Sequence, residues 1–182
     1  MAGRLLTAPL MARRLRSPAL AAAGKGTPPR GAPSTSSRAD RGVGDPRPPA
    51  PIAVERITVK KDRMALLVRL SPACPRVTDD ALARRLLAAV PTLARHSCVN
   101  DVGPTFGCVI ASTSLPHVFE HLVIDAQVRA CASFTDITFV GTTEWLDERA
   151  GLDRVEVNFA DDLIALRAVN DALAYLNGEV VA

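Results

Sequence analysis

Aromatic residues are scarce in this chain of 182 residues, which has five Phe, one Tyr and one Trp. With no aromatics interleaved among basic side chains in the part expected to fold, the sequence offers no stacking platform, and a nucleic-acid role is set aside. No apolar run approaches the ~20 residues that a membrane-spanning helix needs, so a soluble, cytoplasmic protein without a membrane role is the expectation. The four cysteines, Cys74, Cys98, Cys108 and Cys131, form no Cys-x-x-Cys pair. They are expected to be reduced, with Cys108 and Cys131 as small buried hydrophobes. "GPTFG" lacks the lysine and following helix of a phosphate loop, and a serine nucleophile elbow is missing too. Histidine occurs only at positions 96, 117 and 121.

Acidic residues are absent before Asp40. Residues 1–52 hold eight Arg and one Lys against Asp40 and Asp45, a net of +7, so the chain's overall +3 leaves −4 for the remainder. Nine of the fourteen prolines lie in the same stretch. Such a composition buries too little apolar area to offset chain entropy, and residues 1–52 are expected to be a disordered basic leader. Its Arg- and Ala-rich character resembles a transit peptide, but Arg13, Arg14 and Arg16 interrupt the apolar stretch that a secretory signal requires. Residues 53–182 are expected to form one domain.

Within that domain, "VERITVKKDRMALLVRLS" predicts a β-hairpin turning at Lys61-Asp62. "TDDALARRLLAAV" predicts a helix capped by Thr78 or Asp79 and ended by Pro91. A short strand is expected around 106–111. Ser114 and Pro116 mark the start of a helix running to about Ala132, because a first-turn proline forfeits no intrahelical hydrogen bond. A second hairpin follows near 136–145 and 153–160. Asp161 or Asp162 caps a last helix that Gly178 should stop. The order ββα-β-αββα implies an α+β fold, with about three helices packed on a mostly antiparallel sheet.

The residues with chemistry cluster in "SLPHVFEH". At 100° per residue, His117 and His121 project from one helix face a turn apart, with Glu120 beside them, while Leu115, Phe119, Leu122 and Ala126 form a second stripe suited to packing on the sheet. Two imidazoles so placed suit one zinc ion, and the intervening carboxylate suits a general base; His-x-x-Glu-His inverts the His-Glu-x-x-His metallopeptidase pattern. Zinc catalysis needs a third ligand, for which His96 is the remaining histidine. Cys98 is either a fourth or substitute ligand or, on its ordinary reading, a packed thiol. Asp125, a turn after His121, either orients a ligand histidine or is a plain surface carboxylate. The competing reading makes Glu120-His121 a solvated face or the histidines mere core residues.

"LARHSC", "TSLPHVFEHLVIDAQ" and "ITFVGTT", with "RVEVNFADDLIALRAVNDALAYLN" closing, resemble in order the N-terminal domain of cyanophycin synthetases, over roughly residues 54–178 and most specifically 115–127. In that family the domain accompanies ATP-grasp and Mur-ligase-like domains that build an Asp/Arg polymer, and it either trims the polymer as a metallopeptidase or binds it. The resemblance implies His96, His117 and His121 as zinc ligands, Glu120 as catalytic base, and Asp125 and Gln127 as their supporting residues. It also implies an Asp/Arg peptide or cyanophycin-like polymer as substrate and, for a free-standing relative, a separate ligase protein as partner. The alternative is a non-catalytic polymer-binding or accessory module, or a vestigial domain. Pro116 stands where the family has Gly, Thr113-Ser114 replaces Thr-Trp, and Gly141-Thr142-Thr143 lacks the arginines of the family's corresponding strand.

Overall fold

In a computed structural model, the described residues are 50–131 and 137–181; the leader up to residue 49 lies outside them. Strand β1 (Ile52–Val59) pairs with β2 (Arg63–Leu70), and β3 (Gly141–Asp147) with β4 (Leu152–Asn158). The two hairpins join through β2 and β4 into one antiparallel sheet of order β1-β2-β4-β3. Helices α1 (Asp80–Ala89), α2 (Leu115–Ala130) and α3 (Asp162–Val181) complete an α+β domain, as expected.

Period-two alternation divides the sheet. Met64, Leu66, Val68 and Leu70 of β2, with Val155 and Val157 of β4, turn to the helices and are buried. Glu55, Arg69, Arg154, Glu144 and Glu156 form ion pairs on or along the other face, which therefore meets water. β1 begins at a buried Ile52 tied to α3, since Asn177 accepts from the Ile52 N–H (2.8 Å) and donates to its carbonyl (2.9 Å). The folded part thus includes Ile52, which the sequence placed at the end of the leader.

Local chemistry sets the helix ends. Asp79 caps α1 by accepting from the Leu82 N–H at 2.7 Å, and Thr78 is spent on the Thr113 backbone instead. Pro91 does stop α1, and opens a 3-10 turn, Pro91–Arg95. Ser114 is the N-cap of α2. Asp161 accepts from the Ile164 N–H at 2.9 Å at the start of α3.

Three expectations fail. Residues 106–108 form a 3-10 turn, not a strand; they pair with no strand of the sheet, and Phe106 instead stacks its ring on His121 of α2. Gly178 does not stop α3, which continues to Val181; its φ is not positive, so it forms no left-handed cap. Most of all, α2 is not anchored by one stripe. It lies against β3, β4, α3 and the Pro91–Arg95 turn, and eleven of its sixteen residues are buried. Most of the helix is therefore covered, with Glu120 and His121 buried and His117 half-buried.

No helix among the described residues is long and apolar enough to cross a membrane.

Candidate metal centre and its cleft

An open cleft of about 1160 Å³ runs between α2, the 92–104 segment and the inner side of β3 and β4. His96, Cys98, His117, Glu120, His121, Asp125 and Asp153 all line it. His96 ends the Pro91–Arg95 turn, held by its N–H to Leu93 and by its carbonyl to the Phe106 N–H at 2.8 Å. Cys98 follows, its N–H bonded to the Pro104 carbonyl, in a loop whose turn at 100–103 is closed by the Asn100 side chain. This loop brings the preceding chain up to the helix.

The convergence is close. Nδ1 of His96 stands 3.2 Å from Nδ1 of His121, and Cys98 Sγ stands 3.5 Å from His117 Nε2. Cys98, His117 and His121 each offer a ligand atom such that all three lie within 4.8 Å of one another, a group that can hold a metal ion. Donors about 2.0–2.3 Å from a tetrahedral zinc are separated by roughly 3.3–3.7 Å, so the Cys98–His117 spacing fits one ion. His96 adjoins this group through His121 without closing it. Cys98, read from the sequence as either a ligand or a packed thiol, thus stands in the group that could hold a metal.

Several side chains fix the rings. Thr113 Oγ1 lies 2.7 Å from His117 Nδ1, which leaves Nε2 toward Cys98. Phe106, fully buried, stacks on His121 (centroids 3.9 Å apart) and meets His117 edge-on (5.2 Å). His96 Nε2 approaches Asp125 Oδ1 at 3.5 Å; the same oxygen accepts from Thr92, and Arg129 Nε stands 3.0 Å from Oδ2. Asp125 is 2% exposed, so it is no surface carboxylate. Burial would raise its pKa, but hydrogen bonds from His96 and Thr92 and the Arg129 charge together hold it below the ordinary value. Burial lowers His117, and burial together with the neighbouring His117 and His96 pushes His121 down to about 3. Both helix imidazoles are thus neutral at pH 7, the form in which imidazole binds a metal.

Glu120 is 5% exposed. Its Oε2 accepts from Thr143, and a Cβ at Gly141 would come within 2.6 Å of Oε1. Any side chain there would have to displace the Glu120 carboxylate, which glycine avoids. Burial raises Glu120, the Thr143 hydrogen bond offsets part of that, and the charge of Asp153 adds to it, giving a pKa of about 7. A carboxyl poised near neutrality suits proton transfer in both directions.

Gln127 is buried outside the cleft, where its side-chain amide donates to the Asn158 carbonyl at 3.3 Å and ties α2 to the end of β4. Cys131 is buried as expected, whereas Cys108 is exposed, lying beside Thr105 at the turn that carries Phe106. Sequence reasoning missed Phe106, Thr113, Gly141, Thr143 and Asp153. Only Asp153 left a usable signal. Counting back by twos from the inward Val157 and Val155 puts it on the inner face.

Searches of curated proteins and of solved structures return no match. A family model, the cyanophycin synthase-like N-terminal domain, matches residues 65–180. That span holds α1, α2, nearly all of α3, most of the sheet, and every candidate donor described above, so the chain belongs to the cyanophycin synthase-like N-terminal domain family.

Proposed function

We propose that this domain is a zinc-dependent amide hydrolase acting on Asp/Arg-type peptides of the cyanophycin kind. The observation that carries the reading is the meeting of Cys98, His117 and His121 in the cleft that also contains the buried Glu120. In this reading His117 and His121 each bind through Nε2. Thr113 accepts from the Nδ1–H of His117, and His96 Nδ1 accepts from the Nδ1–H of His121. His96 then donates its Nε2–H toward Asp125, so the acid, His96 and His121 form one orienting chain. Cys98 serves as third donor, and His96, which the resemblance implies as a ligand, is assigned an orienting role.

Zinc at this position supplies Lewis acidity, polarising an amide carbonyl and acidifying water. Glu120 takes the proton from the attacking water and delivers it to the leaving amine nitrogen. Thr143 holds that carboxylate in place, and Gly141 leaves room for it. The substrate class rests on the family, whose name refers to the Asp/Arg polymer.

Metal analysis tests the site. One zinc per chain is expected in the intact protein, well below one in His117→Ala and Cys98→Ala, and near one in His96→Ala with weaker retention against chelator. Loss of stoichiometry in His96→Ala would make it a ligand. Glu120→Gln should keep zinc and lower cleavage of β-Asp-Arg dipeptide or polymer by roughly 10²–10⁴-fold. An intact protein without zinc, or full activity in that variant, defeats the reading.

A further inference from the structure

We propose that Asp153 is the anchor of a subsite for a cationic group, a guanidinium or an ammonium, on the molecule that enters the cleft. Asp153 lies on the inner face of the central strand β4, where its cross-strand neighbours are Val68 on one side and Trp145 on the other. The next inward residues of β4 are Val155 and Val157, both buried. The carboxylate is 0% exposed, and neither oxygen has a hydrogen-bond partner among the described residues. The Glu144 backbone N–H is near enough to oppose part of the effect of burial, but not in hydrogen-bond geometry. No described Lys or Arg forms an ion pair with it.

A carboxylate in such surroundings is costly unless something pairs with it. The sheet gains nothing from it, since valine occupies the equivalent inward positions. The cleft gains a negative wall, because Asp153 lines it together with Glu120 and Trp145. Trp145, directly across the strand pair on the same face, supplies an indole beside the acid. Carboxylate plus aromatic face is a receptor for a planar guanidinium or an alkylammonium. Basic side chains that line the cleft, Arg95 and Arg129, belong to the helix and turn side. The strand side is the acidic one.

This inference deepens the hydrolase reading, because it names a recognition element of the same cleft, but binding at the subsite needs no metal. Trp145 is the chain's only tryptophan, so its fluorescence reports on the site directly. Full-chain protein at pH 7.5, zinc-loaded or chelator-treated, is titrated with argininamide and with its neutral isostere citrullinamide. Lysinamide and norleucinamide form a second pair that separates guanidinium from ammonium recognition. The expected result is at least tenfold tighter binding of one or both cationic members by the natural protein, with or without zinc. Asp153→Asn should abolish that preference without lowering Tm. Equal affinity within both pairs in the natural protein overturns the proposal without recourse to any variant, as does a preference that survives Asp153→Asn. A fall in Tm with Asp153→Asn would mark the residue as structural and overturn it too. Absence of zinc alongside a charge preference that depends on Asp153 would remove the hydrolase reading and leave the subsite standing.

Discussion

Two aspartates of one cleft, Asp125 and Asp153, are buried to nearly the same degree and live under opposite conditions. Asp125 on α2 is surrounded by groups that want its charge: the Thr92 hydroxyl, His96 and Arg129. Asp153 on β4 is surrounded by valine, indole and another acid's field, and burial pushes it up to about 6. Burial alone therefore says little about what an acid does. At the histidine end the protein completes its own electrostatics and fixes a geometry. At the strand end it leaves a charge incomplete, which is how a fold holds a place for a ligand.

The comparison yields three stability tests, best made on metal-free protein. Phe106→Ala removes a fully buried ring that two histidines pack against. It should cost about 3–5 kcal/mol in denaturant unfolding and loosen zinc retention as well. A loss below ~1 kcal/mol would mean that the histidine end is not held by packing.

Asp153→Asn comes next, with opposite sign. Burial lifts the folded carboxyl to about 6, above its ordinary value of 3.8. Its favourable contribution is thus complete below about pH 4 and is lost as pH rises through 6. The variant should match the natural protein near pH 4 and exceed it at pH 8 by on the order of 2–3 kcal/mol. A variant less stable at pH 8 would contradict the isolation of this acid.

The smallest of the three is Asp125→Asn, with a cost of about 1–3 kcal/mol at pH 7. Because the folded pKa of Asp125 is lowered, the stability it contributes is present above the unfolded value and fades as pH falls through the folded one. The difference between natural protein and variant should therefore shrink in acid, where that for Asp153→Asn also vanishes. A tenfold to hundredfold loss of zinc affinity should accompany it.

The sequence revealed elements far better than surroundings. Both hairpins, all three helices and the cap at Ser114 follow from period, turn and capping chemistry. These signals are local and survive without knowledge of the partners. The expected one-sided α2 shows the limit: its apolar stripe was visible, but its polar side is covered by the 92–110 segment and β3, a contact set by chain path alone. The same blindness left Cys98 undecided between ligand and packed thiol and hid Phe106 as a support for the rings, since each is brought to α2 by a loop. Gly141 and Thr143 were noticed only for the arginines they lack. Their role depends on β3 passing over Glu120, which no spacing in the chain encodes.

The clasp between Asn177 and Ile52 bears on how this family module can be excised. The shared segment starts at residue 65, inside β2, whereas the sheet's first strand lies wholly upstream and is fastened to the last helix by the paired hydrogen bonds of the Asn177 amide. A fragment trimmed to the shared segment would expose β2 as a raw edge and strip a buried isoleucine from beneath the helix. The minimal self-sufficient unit is therefore wider than the region that identifies it, with both of its margins locked together by one asparagine.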